Sequence, residues 1–121
     1  PSLEQCNSVI LFIETSEESP DAAYVHRVIR ALGERGILFA VKAILVGRPK
    51  AWEFNKQLSP EEKVEYKKKQ QEIVTSTVRE YNSTIPIIQN MDFGHTDPQI
   101  CLPYGGEVRI DVQGKRIFAT F

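Results

Sequence analysis

The N-terminal half of the chain alternates apolar runs of strand length with a segment of helical periodicity. Residues 9–13 (VILFI) form a continuous apolar run that ends at Glu14, which is typical of a strand buried on both faces of a parallel sheet. The order Ser-Pro-Asp at 19–21 predicts a helix start, and apolar residues then recur at helical spacing as far as Gly33. Residues 37–46 are rich in strand-forming side chains and stop at Gly-Arg-Pro, so we expect a second strand there.

The C-terminal half adds a long helix, a third strand and a hairpin. Residues 59–62 (SPEE) form a capping box with proline at the first helical position, and the charged segment that follows predicts a largely solvated helix to about Asn82. Its apolar stripe becomes dense only in the second half, so we expect the first half to project or to pack loosely. Residues 85–88 (IPII) predict a short buried strand, and the runs at 108–112 and 116–120 predict a hairpin around Gln-Gly.

This order of elements predicts a single α/β domain over residues 1–121. We expect a layered α/β domain whose sheet is mainly parallel, with an antiparallel C-terminal hairpin. In such sheets functional groups collect outside the carboxyl ends of the strands. We therefore expect catalytic or binding residues where the apolar runs end.

Composition and charge narrow the classes of partner. Apolar residues make up 41% and charged residues 26% of the chain, and the net charge of −1 gives no reason to expect binding to nucleic acid or to a membrane surface. The sequence has no signal-peptide pattern and so shows no targeting address of its own, and we expect no cofactor. Cys6 and Cys101 lack Cys-x-x-Cys spacing and fit reduced thiols, although a disulfide between them is left open.

The residues best suited to catalysis are Glu14 and His95. Glu14 ends the first predicted strand, and His95 lies in the loop after the third, next to Gly94 and shortly before Pro98. Both can reach the same edge of the sheet although 81 positions separate them. A carboxylate bonded to one imidazole nitrogen fixes the tautomer and leaves the other nitrogen free to deprotonate a nucleophile. The sequence offers no nucleophile for this pair.

Several motifs together resemble a known family, the C-terminal domain of the LD-carboxypeptidases and microcin C self-immunity peptidases. The segments that carry the resemblance are residues 10–14 with Glu17, residues 93–98 (FGHTDP), residues 102–105 (LPYG) and residues 108–111 (VRID). The resemblance runs from about residue 9 to residue 117. The chain departs from the family pattern in the long charged segment 48–82, which lengthens the interval between the glutamate and the histidine.

The resemblance implies a fold, a mechanism and partners. The implied fold is a layered, swivelling β/β/α-type domain. Members are cytoplasmic serine peptidases with a Ser-Glu-His triad, whose serine lies in an N-terminal domain, and they are often homodimers. Glu14 would be the triad acid and His95 the general base. The Gly-His-Thr-Asp-Pro motif is closer to the microcin-immunity branch, which cleaves the amide between a peptide or amino acid and a nucleotide-like group. The other branch removes the terminal D-alanine from muropeptide tetrapeptides.

Other residues could belong either to the functional site or to the structural framework. Arg48 could pair with an anionic group of the substrate, or be an ordinary loop charge. Trp52 and Phe54 could line a substrate pocket by stacking, or close the core under the long helix. We interpret His26 as a surface residue of the first helix, and lysines 67–69 as a solvated face because acids surround them.

Two alternatives belong to other functional classes. A Gly-His-Thr loop in a β/β/α domain also resembles swivelling phosphohistidine carriers, in which the histidine accepts phosphate. Asp97-Pro98-Gln99 opposes the helix expected there in a carrier. The chain could also be a binding or dimerisation domain without catalytic residues. Glu14 separates these possibilities, because a triad requires it and neither a carrier nor a scaffold does.

Overall fold

A three-stranded parallel sheet is the centre of the fold. The computed structural model describes residues 2–121, and its sheet has the order β1-β2-β3. β1 covers Ile10–Ile13, β2 covers Ala43–Gly47 and β3 covers Ile87–Met91. β2 is the central strand, with β1 on one side and β3 on the other, and it is buried along its whole length. The carboxyl ends of all three strands meet at one edge.

Two long helices pack together on one face of the sheet. α2 covers Ala22–Glu34, and its N-cap Asp21 accepts a hydrogen bond from the Tyr24 backbone N–H at 2.6 Å. α4 covers Pro60–Tyr81 and begins at the predicted capping box. None of the helices within residues 2–121 combines the length and apolar character needed to cross a bilayer. The fully buried side chains of the core are Ile29, Leu38, Ile44, Leu45, Thr77 and Val78.

The predicted hairpin is present and lies beside the other face of the sheet. It consists of β4, Glu107–Asp111, and β5, Arg116–Thr120, paired antiparallel. A cavity of about 650 Å³ separates the start of β4 from β1, and a second of about 490 Å³ separates the hairpin from the start of β3. The hairpin is therefore less closely packed against the sheet than the two helices are.

The structure corrects one element and refines others. Residues 37–46 are not one strand, because Ile37–Ala40 form a short helix, α3, before β2 begins at Ala43. Gly36 has φ 75° and makes the left-handed turn between α2 and α3, so the chain changes direction before β2. A further short helix, α1, covers Leu3–Cys6 and was not predicted.

Candidate active site

The ends of all three parallel strands contribute to one cluster of polar residues. Glu14 follows β1, Arg48 follows β2, and Asp92 and His95 follow β3. The loop after β3 folds back along the edge of the sheet and brings His95 to Glu14. The expectation that Glu14 and His95 share this edge is met in the structure.

His95 and Glu14 form a directly bonded pair. The His95 Nδ1 and Glu14 Oε2 atoms are 3.0 Å apart. A carboxylate can only accept hydrogen bonds, so Nδ1 is the donor in this pair, and in the neutral imidazole Nε2 then presents its lone pair. Among residues 2–121 this is the one hydrogen bond of the His95 side chain, so Nε2 is free to take a proton from another group. The two side chains are 41% and 43% exposed, which leaves the imidazole open to a partner from outside the chain.

Gly94 allows the imidazole to approach the carboxylate. It has φ 95°, in the region that favours glycine, and a β-carbon at this position would overlap the Glu14 carboxylate. The Ile100 N–H donates to the Asp92 carbonyl at 2.7 Å, and the Gln99 side-chain amide donates to the Gly94 carbonyl. These bonds close the loop on itself and hold His95 at its tip.

Arg48 connects the end of β2 to the histidine loop. Its guanidinium pairs with the Asp92 carboxylate, and its Nη1 lies 3.4 Å from the Asp97 carbonyl oxygen. Its backbone N–H donates to the Met91 carbonyl at 2.9 Å. These contacts hold Arg48 against the histidine loop and balance its charge with an aspartate, and its pairing with an anionic group of the substrate stays a prediction.

An aromatic contact that the sequence did not predict supports the same loop. The rings of Phe93 and Phe12 stack with centroids 5.5 Å apart. A β-carbon on Gly47 would lie 2.7 Å from the Phe93 carbonyl oxygen, so only glycine fits between β2 and this loop. Phe93 thus anchors the base of the loop on the sheet. The one sequence signal for a role of Phe93 in this loop was its position beside Gly94. Its partners, Phe12 and Gly47, are far away in the sequence.

A cavity of about 300 Å³ opens beside His95. Its walls include Arg48, Lys50 and Trp52 from the segment after β2, and Thr96 from the histidine loop. Trp52 is 45% exposed and lies under the Lys50 ammonium, which is 5.2 Å from the ring centroid. This position agrees with the pocket interpretation of Trp52.

The core interpretation is wrong for Phe54, which is 83% exposed. Phe54 instead borders a separate surface cavity of about 250 Å³.

The other candidates lie away from this edge. His26 is half-buried, with Nδ1 2.9 Å from the Thr77 hydroxyl, so it joins α2 to α4 and is less exposed than predicted. Cys6 is buried and Cys101 exposed, and both are free thiols. Across residues 2–121 no group of three histidine, cysteine, aspartate or glutamate side chains could hold a metal ion.

The sequence matches a known domain family over most of its length. Residues 1–110 match the model described as LD-carboxypeptidase C-terminal domain. The chain belongs to this family. The family consists of serine peptidases, and the microcin-immunity branch predicted from the histidine motif is consistent with the relatives.

Two curated relatives and one crystal structure place this LD-carboxypeptidase C-terminal domain among larger proteins. It is 32% identical to a putative carboxypeptidase from Treponema pallidum and 28% identical to the microcin C7 self-immunity protein MccF from Escherichia coli, in both cases over 97% of the chain and 30% of the relative. The structure of a MccF-like protein from Streptococcus pneumoniae in complex with AMP matches with a TM-score of 0.77 and 27% identity, over 99% of the chain and 31% of that protein. The chain spans about a third of the length of these proteins.

Proposed function

We propose that this domain supplies the glutamate and the histidine of a Ser-Glu-His triad. The observation that carries the proposal is the 3.0 Å contact between His95 Nδ1 and Glu14 Oε2, with Nε2 left open. The serine would come from an N-terminal domain of the same protein, as in the family. By itself the domain would not turn over substrate, because it lacks the nucleophile.

The mechanism that this pair supports is acyl transfer. His95 Nε2 accepts the proton of the serine hydroxyl as the serine oxygen attacks the carbonyl carbon of the amide, and Glu14 stabilises the imidazolium that forms. The imidazolium then protonates the leaving amine, and an acyl-enzyme remains. His95 next deprotonates a water molecule that attacks the ester, and the acid product leaves with the serine restored.

Two substrate classes are compatible with the family. One is an LD-peptide such as a muropeptide tetrapeptide, and the other is an amino acid or peptide joined by an amide to a nucleotide-like group. The exposed Trp52 ring beside the cavity supports the second class, because a flat indole surface can stack on a base. The relative named as a microcin self-immunity protein and the structure containing AMP agree with this choice.

The remaining features of the proposal follow from the family. We infer a cytoplasmic enzyme, dimeric in its complete form, that needs neither a cofactor nor a nucleic acid or membrane partner. Membership in a serine peptidase family supports this proposal over a phosphohistidine carrier or a non-catalytic binding module.

A hydrolysis assay tests the proposal. The full-length protein and its His95→Ala variant would be incubated with an LD-tetrapeptide and with an aminoacyl-sulfamoyl adenosine, and the products weighed by mass spectrometry. We expect cleavage of one substrate by the parent and its loss in the variant. Cleavage that persists at the parental rate in a folded His95→Ala variant would contradict the proposal, and so would a folded parent that cleaves neither substrate.

A further inference from the structure

Two lysines of α4 differ from the rest of the charged helix. Lys63 and Lys67 are half-buried and line the 300 Å³ cavity that contains His95. Lys68 and Lys69 are exposed and pair with glutamates of the same helix at 3.8 and 3.5 Å. The interpretation of the whole lysine run as a solvated face is therefore wrong for Lys67.

Contacts within α4 do not stabilise the positive charges of Lys63 and Lys67. Residues three and four positions apart are neighbours on a helix surface, and none of those neighbours of either lysine is acidic. The two lysines are instead four positions apart, an arrangement that places like charges together and is unfavourable. Lys63 also lies one turn from the N-terminus of α4, where the helix dipole disfavours a positive charge. Both positions reduce helix stability unless a negative group lies nearby.

No carboxylate within residues 2–121 balances these two charges. Neither lysine has an oxygen of aspartate or glutamate within 4.0 Å of its ammonium. Arg48, on the same cavity, is paired with Asp92, and Lys50 lies 3.5 Å from Glu17. Asp97 is the one acidic residue that lines the cavity, and because Arg48 and Lys50 are already paired it is left to offset both Lys63 and Lys67. The cavity beside the histidine therefore has an excess of positive charge.

We propose that Lys63 and Lys67 bind the anionic group that lies next to the scissile amide of the substrate. The inference rests on the proposed function, because it takes His95 as the general base beside this site. Both substrate classes present such an anion, either the carboxylate of the terminal amino acid or the acidic phosphoryl or sulfamoyl group of a nucleotide-like leaving group. The lysines hold it by charge-assisted hydrogen bonds, and this places the amide at His95.

The first test measures discrimination between a charged and a neutral substrate by the full-length protein. Steady-state rates are compared for an LD-tetrapeptide, for the same peptide with a C-terminal carboxamide, and for an aminoacyl-sulfamoyl adenosine. The variants are Lys63→Met, Lys67→Met and the double variant. Lys68→Met and Lys69→Met are the matched controls, because they remove equal charges from the exposed side of the same helix.

We expect each single variant to lower kcat/KM for the anionic substrate about tenfold and the double variant about 100-fold, mainly through KM, since a charge-assisted hydrogen bond typically contributes a factor of this size. The carboxamide should react equally in all proteins, and the controls should match the parent. A loss confined to the tetrapeptide assigns the anion as a carboxylate, and a loss confined to the adenosine compound assigns it as the leaving-group acid. Equal losses for charged and neutral peptide, or losses as large in the controls, would overturn the proposal.

A binding measurement separates failure of this inference from failure of the proposed function. Calorimetric titration of AMP and of D-alanine into full-length His95→Ala does not require turnover. Weaker binding of either probe to a His95→Ala protein that also carries Lys63→Met and Lys67→Met would support the anion subsite. This holds even if the parent cleaves neither substrate. Loss of turnover in His95→Ala with unchanged rates and unchanged probe binding in the lysine variants would uphold the triad and refute the subsite.

Discussion

Replacing Glu14 by glutamine removes the charge that the mechanism assigns to stabilising the imidazolium, while keeping the size of the side chain. The pair is 3.0 Å apart, and Coulomb's law gives about 1.4 kcal/mol at this separation in bulk water and about 5.5 kcal/mol at an effective dielectric constant of about 20. Because both side chains are more than a third exposed in this domain, we expect a value between these limits. The corresponding fall in kcat for Glu14→Gln is about 10²- to 10³-fold.

The assay is single-substrate kinetics of the full-length protein, with thermal unfolding of the same samples. The half-exposed pair contributes at most about 1 kcal/mol to stability, so Tm should shift by only a few degrees. Glu18→Gln is the control, because Glu18 is exposed and close to Glu14 in the sequence. A folded Glu14→Gln variant with kcat within twofold of the parent would refute the reasoning, and a variant that unfolds would show that Glu14 is structural.

Two further predictions concern the histidine loop and the attachment of α4. Gly94→Ala should lower both kcat and Tm, because the added methyl overlaps the Glu14 carboxylate and because alanine avoids this φ. The control is Gly105→Ala, where φ is similar, 73°, but the surrounding space is open. This control should lower Tm alone. Burial raises the pKa of Tyr66 to about 12, with further contributions from nearby carboxylates, and its hydroxyl donates to the Pro20 carbonyl at 3.0 Å. The contribution of protonated Tyr66 to the free energy of unfolding is complete below pH 10 and is lost as the pH rises towards 12. Chemical denaturation should therefore show a steeper decline in the free energy of unfolding over that range in the parent than in Tyr66→Phe. Parallel declines in the two proteins would contradict this assignment of Tyr66. A Gly94→Ala variant with parental kcat would contradict the role given to Gly94.

The order of the main helices and strands along the chain followed from the sequence, and the two short helices α1 and α3 did not. The continuous apolar run at 9–13 corresponds closely to β1, and the capping box at 59–62 corresponds to the start of α4. The run ILFA at 37–40 forms α3 instead of a strand, since a short apolar run has no periodicity that separates a buried helix from a buried strand. Gly36 was the one local signal for the turn between α2 and α3.

The pairing of Glu14 with His95 could be predicted because parallel strands end at a common edge. The loop contacts could not, because Arg48 with Asp92 and Phe93 with Phe12 join residues that are distant in the sequence. For the lysines of α4 a local signal did exist. The absence of acidic residues at three and four positions from Lys63 and Lys67 distinguishes them from Lys68 and Lys69, whereas the composition of the whole run does not.

Labelling by a serine-directed fluorophosphonate tests most directly whether this domain activates a serine. The full-length protein, its His95→Ala variant and its Glu14→Gln variant would be treated with the probe, and the modified residue located by peptide mass spectrometry. The account predicts one labelled serine outside residues 1–121, with slower labelling in Glu14→Gln and almost none in His95→Ala. Labelling at equal rates in all three folded proteins, or no labelling of the parent, would contradict it.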